Sequence, residues 1–169
     1  MMSSGFFDLI YLIIKQAFPS KLGAYRRPNA WAVVTGCTDG LGREFALELG
    51  RRGFNLVLLS RTPSKLKELA GESALDKVQV LTQAIDFLHP DYDAVSRVLA
   101  QAATQGPITV LSNNVGMTHA FPEHLLETSD EVMSAIVTLN IDSVNRMTRQ
   151  VLPYMVDQYP SLLPPPSIN

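Results

Sequence analysis

Cysteine is almost missing from this chain: Cys37 is the single one in 169 residues. No intrachain disulfide can form, a cysteine-built metal centre is excluded, and the usage fits a reducing compartment. An excess of one charge sign is missing too. Fourteen Lys and Arg stand against 16 Asp and Glu, and a net charge of -2 offers no electrostatic footprint for nucleic acid. The apolar stretch at residues 6–18 (FFDLIYLIIKQAF) falls short of a membrane span. As a helix it covers about 20 Å against a hydrocarbon core of roughly 30 Å, and Asp8 and Lys15 interrupt it. No basic stretch precedes it, which argues against a cleaved signal peptide. No internal repeat is visible, and no residue set suggests a metal site. What remains is 46% hydrophobic and 18% charged. Its mean hydropathy is +0.10, the composition of one globular domain with a sizeable core.

From Trp31 onward, apolar runs alternate with helical spacing. The pattern predicts strands at 31–35, 55–60 (NLVLLS), 78–85 and 107–112 (PITVLS). Helices are predicted at 41–52, near 63–71, at 90–104, and from about 129 to 156. Leu41, Phe45 and Leu49 share one face of the first helix, and Glu48 and Arg52 are spaced for an i,i+4 pair. Thr62-Pro63 reads as an N-cap followed by a first-turn proline, and Thr128 with Glu131 as a capping box. Repeated strand–helix units predict an α/β fold, a Rossmann-like doubly wound parallel sheet of about four strands.

Three segments follow. Residues 1–28 are apolar, then basic: Ser4, Asp8, Tyr11 and Lys15 share one helical face, and no acid stands between Leu9 and Thr38. A helix lying in a membrane interface fits this pattern, as does one packed on the domain's own surface. Residues 29–156 form the domain. Residues 157–169 carry Pro160, Pro164, Pro165 and Pro166, which predicts an extended tail or a proline-rich docking motif.

Chemistry concentrates at Thr35-Gly36-Cys37-Thr38-Asp39-Gly40-Leu41-Gly42, between the first strand and first helix. Amides at a helix N-terminus form an anion site, and glycines let a pyrophosphate approach the main chain. Gly36 is assigned to the tight turn, Gly40 to phosphate approach and Gly42 to helix–strand packing. Cys37 is a reactive thiol or, more simply, a small filler. About 20 residues on, where an acid would hold a ribose 2′-hydroxyl, stand Ser60 and Arg61. A guanidinium suits a 2′-phosphate, so the residues favour NADP(H) over NAD(H), unless Arg61 is only a surface residue. Asp39 argues mildly the other way. Asp86 is an acceptor for an adenine amino group or a cap on the next turn. Asn113-Asn114-Val115-Gly116 brings amides that can bond neighbouring strands and a glycine that leaves room for a cofactor, or is a plain turn.

Taken in order, TGCTDGLG, NNVG and Asn140 within TLNIDSVNRMT resemble the TGxxxGxG, NNAG and helix asparagine of the short-chain dehydrogenase/reductases, over roughly residues 31–156. The stretch from Trp31 to Thr62, and NNVG followed by Thr118-His119 and Pro122, are similar to the very-long-chain 3-oxoacyl-CoA reductases within that family. The resemblance implies NADPH as hydride donor, long-chain 3-oxoacyl-CoA as substrate and fatty-acid elongation as the setting. It also implies the cytosolic face of the endoplasmic reticulum membrane, with a homo-oligomer or an elongation complex as assembly. Asn140 takes the place of the family's proton-relay asparagine.

The family's serine and Tyr-x-x-x-Lys lie well beyond that asparagine, and no counterpart follows Asn140 here. Tyr11 and Lys15 have the spacing but precede the glycines, so the match is coincidental. His89, His119 and His124 form no triad spacing; His119 could edge a substrate cleft. The change of character after Val156 suggests a chain cut short before its catalytic residues, marginally stable, with an open apolar edge on the fourth strand. Three readings stand: a 3-oxoacyl-CoA reductase by descent, a non-catalytic NADP(H)-binding chain that modulates a full-length relative, or a short-chain reductase of a steroid or other ketone.

Overall fold

A computed structural model describes Leu22 and residues 25–119, 121, 122 and 124–156. The N-terminal apolar run and the proline-rich tail lie outside the described residues.

The fold grows from two continuous apolar runs. β1 (Trp31–Thr35) and β2 (Asn55–Ser60) are buried at every position, as expected for strands covered on both faces. β3 (Val80–Ala84) and β4 (Ile108–Ser112) flank them, and the order β3-β2-β1-β4 is parallel throughout. The predicted doubly wound sheet of four strands is present. α1 (Gly40–Arg51) and α2 (Pro63–Ala70) cover one face, where Ala46, Leu47, Leu49, Leu66 and Leu69 pack on Ala32, Val34, Leu56 and Leu58. α3 (Tyr92–Gln105) covers the other face with α5 (Ser143–Val156), and there Val95, Leu99, Met147 and Val151 meet Trp31, Val33, Val57 and Leu59. α4 (Asp130–Val137) precedes α5, joined to it by a π-helical turn at Thr138–Asp142.

Several local expectations need correction. Val78 and Gln79 lead into β3 rather than forming part of it, and Pro107, which lacks an N–H, precedes β4 and accepts from the Trp31 amide at 2.7 Å. Leu41 and Phe45 point outward, 72% and 46% exposed; α1 buries Gly42, Ala46, Leu47, Leu49 and Gly50 instead. Gly50 lets this helix pack closely on the 3-10 turn at Ser73–Leu75: a Cβ there would run into Leu75 Cδ2, and it would lie 3.6 Å from Leu56 Cδ1 of β2. The Glu48–Arg52 pair forms at 2.7 Å. Thr62 occupies the N-cap position of α2, but its side chain makes no capping bond. Ser129, not Thr128, caps α4, accepting from the Val132 amide, while the Thr128 hydroxyl donates to the His124 carbonyl. The predicted uninterrupted helix from 129 is two α-helices with a wider turn between them.

β4 pairs only with β1, so it forms one edge of the sheet among the described residues. Val110 and Leu111 on it are half-buried against opposite core clusters.

Leu58 is fully buried at the centre of the α1/α2 side. Leu58→Ala is expected to lower unfolding free energy by about 2–5 kcal/mol, read as a fall in the urea midpoint with unchanged slope.

Candidate functional site

The sheet reverses direction of growth between β1 and β4, and ligands of open parallel sheets bind where the strand ends part at such a point. A cleft of about 520 Å³ opens there. Gly36, Thr38 and Asp39 contribute from the end of β1, Ser60 and Arg61 from β2, Asp86 and Phe87 from β3, and Gly116 and Met117 from β4. Ala135 and Leu139 close it from α4 and the π turn.

One hydroxyl organises this opening. Thr35 Oγ1 is buried, donates to the Ser112 carbonyl at 3.3 Å, and accepts from the amides of Asn114 and Val115, both at 3.0 Å. The Asn114 carboxamide returns across the gap, donating to the carbonyls of Thr35 at 3.2 Å and Gly36 at 3.0 Å. The anticipated strand-bridging role of the NNVG amides is therefore seen for Asn114. Asn113 turns the other way and donates to Thr148 Oγ1 of α5 at 3.1 Å.

The glycine turn fits its assigned geometry. Gly36 and Gly40 have φ of +61° and +51°, where side-chain-bearing residues are strained. A Cβ on Gly42 would lie 2.3 Å from both the Gly36 carbonyl oxygen and Asn114 Nδ2, so only glycine lets α1 start so close to the turn. Asp39 holds the N-cap position with extended backbone, yet its carboxylate makes no capping bond. It pairs instead with Lys65 Nζ at 2.5 Å. No acidic side chain stands in the first turn of α1 either. The first amides of the helix are thus without a side-chain cap, which is how a helix start accepts an anion.

Arg61 is exposed at the rim, and the Thr38 and Ser60 hydroxyls are hydrogen-bonded at 2.7 Å beside it. Asp86 accepts from the Leu88 amide at 3.0 Å, the capping role foreseen as its alternative, and still lines the cleft. Leu41, largely exposed, is not among the cleft-lining residues. Cys37 is fully buried, its Sγ 3.6 Å from the Leu59 carbonyl. Burial pushes its thiol from 9.0 up to about 12, against the opposing pull of backbone hydrogen bonds. It stays protonated and unreactive at neutral pH, a filler; the stability it lends is full below 9 and fades as pH rises toward 12.

Asn140 lies in the π turn and spends both ends of its carboxamide on one residue. Its Oδ1 accepts from the Met117 amide and its Nδ2 donates to the Met117 carbonyl, each at 2.8 Å. A Cβ on Gly116 would fall 2.7 Å from that Oδ1. π turns recur at functional sites because they re-aim a side chain without ending the helix. His119 and Thr128 approach at 3.4 Å beyond the cleft-lining set. Met117, Phe87, Leu139 and Lys65 were not picked from the sequence. Met117 directly follows NNVG and was open to notice, whereas Lys65 meets Asp39 only through the fold.

The sequence matches the short chain dehydrogenase family over residues 30–161. The chain belongs to that family. A very-long-chain 3-oxoacyl-CoA reductase of Mycosarcoma maydis is 44% identical over 147 residues, 82% of this chain and 41% of that protein. The L-sorbose reductase of Gluconobacter frateurii, solved with NADPH and L-sorbose, superposes with a TM-score of 0.67 at 30% identity, over 76% of this chain and 48% of that one. A metagenomic short-chain oxidoreductase in complex with NADP gives 0.67 at 27% identity, over 77% and 58%. The chain spans about two fifths of the length of the curated relatives it matches.

Thr35→Val keeps the shape but strands the Asn114 and Val115 amides. It is expected to cost about 2–4 kcal/mol in urea unfolding, while Thr35→Ser stays within about 1 kcal/mol of the parent.

Proposed function

We propose that this chain serves the NADPH-dependent reduction of 3-oxoacyl-CoA to 3-hydroxyacyl-CoA in very-long-chain fatty-acid elongation, as its cofactor-holding part. The observation that carries the reading is the uncapped start of α1 at the switch-point cleft. Donor chemistry there fits a dinucleotide: helix amides and the Gly36–Gly42 turn for the pyrophosphate, Arg61 for a 2′-phosphate, Asp86 at the adenine end and Gly116 at the nicotinamide end. Bound NADPH would supply hydride for a carbonyl carbon. Lys65 pairs with Asp39 and so partly offsets the charge that argued against a phosphate-bearing ligand. Asn140 fixes the Met117 backbone at the cleft edge and is the relay asparagine of this reading. Similarity to the named reductases supports the acyl-CoA substrate, and neighbours solved with NADPH or NADP support the cofactor.

The same reading sets the chain on the cytosolic face of the endoplasmic reticulum membrane, with residues 1–28 as the membrane-associating segment, 29–156 as the cofactor domain and 157–169 as the tail. No helix among the described residues is long and apolar enough to cross a membrane. A second reading has the chain hold NADP(H) without turnover and pair with a full-length relative. The open β4 edge among the described residues favours it.

Arg61→Ala should weaken NADPH binding by about 10-fold or more and leave NADH within about twofold, by calorimetric titration. Equal losses for both nucleotides would remove the 2′-phosphate role. The 169-residue polypeptide should bind NADPH yet show no 3-oxoacyl-CoA-dependent oxidation of it, followed by the absorbance of the reduced nicotinamide. Turnover by the pure chain would show that a residue of this polypeptide supplies the general acid.

A further inference from the structure

The end of the sheet opposite the cleft carries an unexplained concentration of positive charge. Arg26 and Arg27 enter β1, Arg51 and Arg52 leave α1, and Lys77 leads toward β3; all five are exposed. Two adjoining depressions of about 540 and 560 Å³ share Arg26, Gly53 and Lys77, and no carboxylate lines either. Glu48 is the nearest counter-charge and is shared, at 2.7 Å from Arg52 and 3.9 Å from Arg51. Asp76 is the other acid close by in the chain. Arginines at a helix C-terminus are accounted for by the helix dipole. Arg26 and Lys77 belong to other segments, and that account does not bring them to the same face.

We propose that this face docks on an anionic phospholipid surface. The proposal rests on the membrane part of the reading above and not on its reductase chemistry. Charge complementarity is one argument: Lys and Arg side chains held near an anionic leaflet each contribute roughly 1 kcal/mol, about fivefold in affinity. Tethering is the other. Leu22, four residues before Arg26, packs on the α1/α2 core cluster. Phe18, the last residue of the apolar run, precedes it by four residues, at most about 14 Å of chain. The apolar segment that the reading above sets at the membrane is thereby within a short length of chain of a cationic face. Docking this way turns the C-terminal strand ends, and the cleft, away from the bilayer by the strand length of roughly 15 Å.

The test is co-sedimentation of the full 169-residue chain with phosphatidylcholine vesicles, with and without phosphatidylserine, in ~0.1 M salt. The triple variant Arg26→Gln/Arg51→Gln/Lys77→Gln should lose on the order of 100-fold in affinity for phosphatidylserine vesicles and keep its affinity for pure phosphatidylcholine. Its circular dichroism and melting curve should match the parent. Lys77 makes no ion pair among the described residues, so Lys77→Gln alone, with about a fivefold loss expected, carries the test where the triple variant misfolds. Three results would overturn the proposal: unchanged phosphatidylserine binding in the triple variant, a phosphatidylserine preference abolished entirely by Lys15→Gln/Lys21→Gln, or loss confined to oligonucleotide binding. NADPH affinity, read separately, reports on the reductase reading alone.

Discussion

The hydroxyl of Thr35 clasps the two strands between which the cleft opens. β1 and β4 part at their ends, and three hydrogen bonds at one buried oxygen hold the parting to a fixed width. A valine of equal size would leave amides facing an apolar wall. From this clasp follow the placement of Asn114 over the Gly36 carbonyl, the closeness of Gly42 to both, and hence the start of α1 at the mouth of the cleft. The glycines permit the geometry, and the threonine and asparagine enforce it.

Charge is distributed by the same architecture. Parallel strands gather every strand-to-helix loop at one end and every helix-to-strand loop at the other. The first end receives an uncapped helix start and pairs Asp39 with Lys65. The second gathers Arg26, Arg27, Arg51, Arg52 and Lys77, with Glu48 shared between Arg51 and Arg52. A chain close to neutral overall thus has two anion-seeking ends, one built from backbone dipoles and one from side chains.

Much of this is legible in the amino-acid sequence. The strands at 31–35 and 55–60 coincide with their predicted bounds because buried strands are continuous apolar runs closed by turn residues. The glycine turn was legible because its flanks were. The face of α1 is only partly legible: Leu49 is buried as expected, but Leu41 and Phe45 are exposed, and Ala46 and Leu47 join Leu49 against the strands. Thr128 and Ser129 are chemically equivalent caps one residue apart, and only the entry angle of the chain selects between them. The Lys65–Asp39 pair, 26 residues apart in sequence, exists only once β2 and α2 are folded.

The π turn at Thr138–Asp142 introduces a phase slip. One additional residue is accommodated without lengthening the axis by a full step, so α5 is rotated by about 100° relative to a plain continuation of α4. Met147 and Val151 of α5 sit in the core from that setting, while Val137 and Ile141 remain outside. Removing one residue from this turn would restore ideal helical pitch and at the same stroke unseat α5 from the sheet. Here local regularity and global order are in opposition, and the molecule has settled the conflict at the residue that braces its cleft.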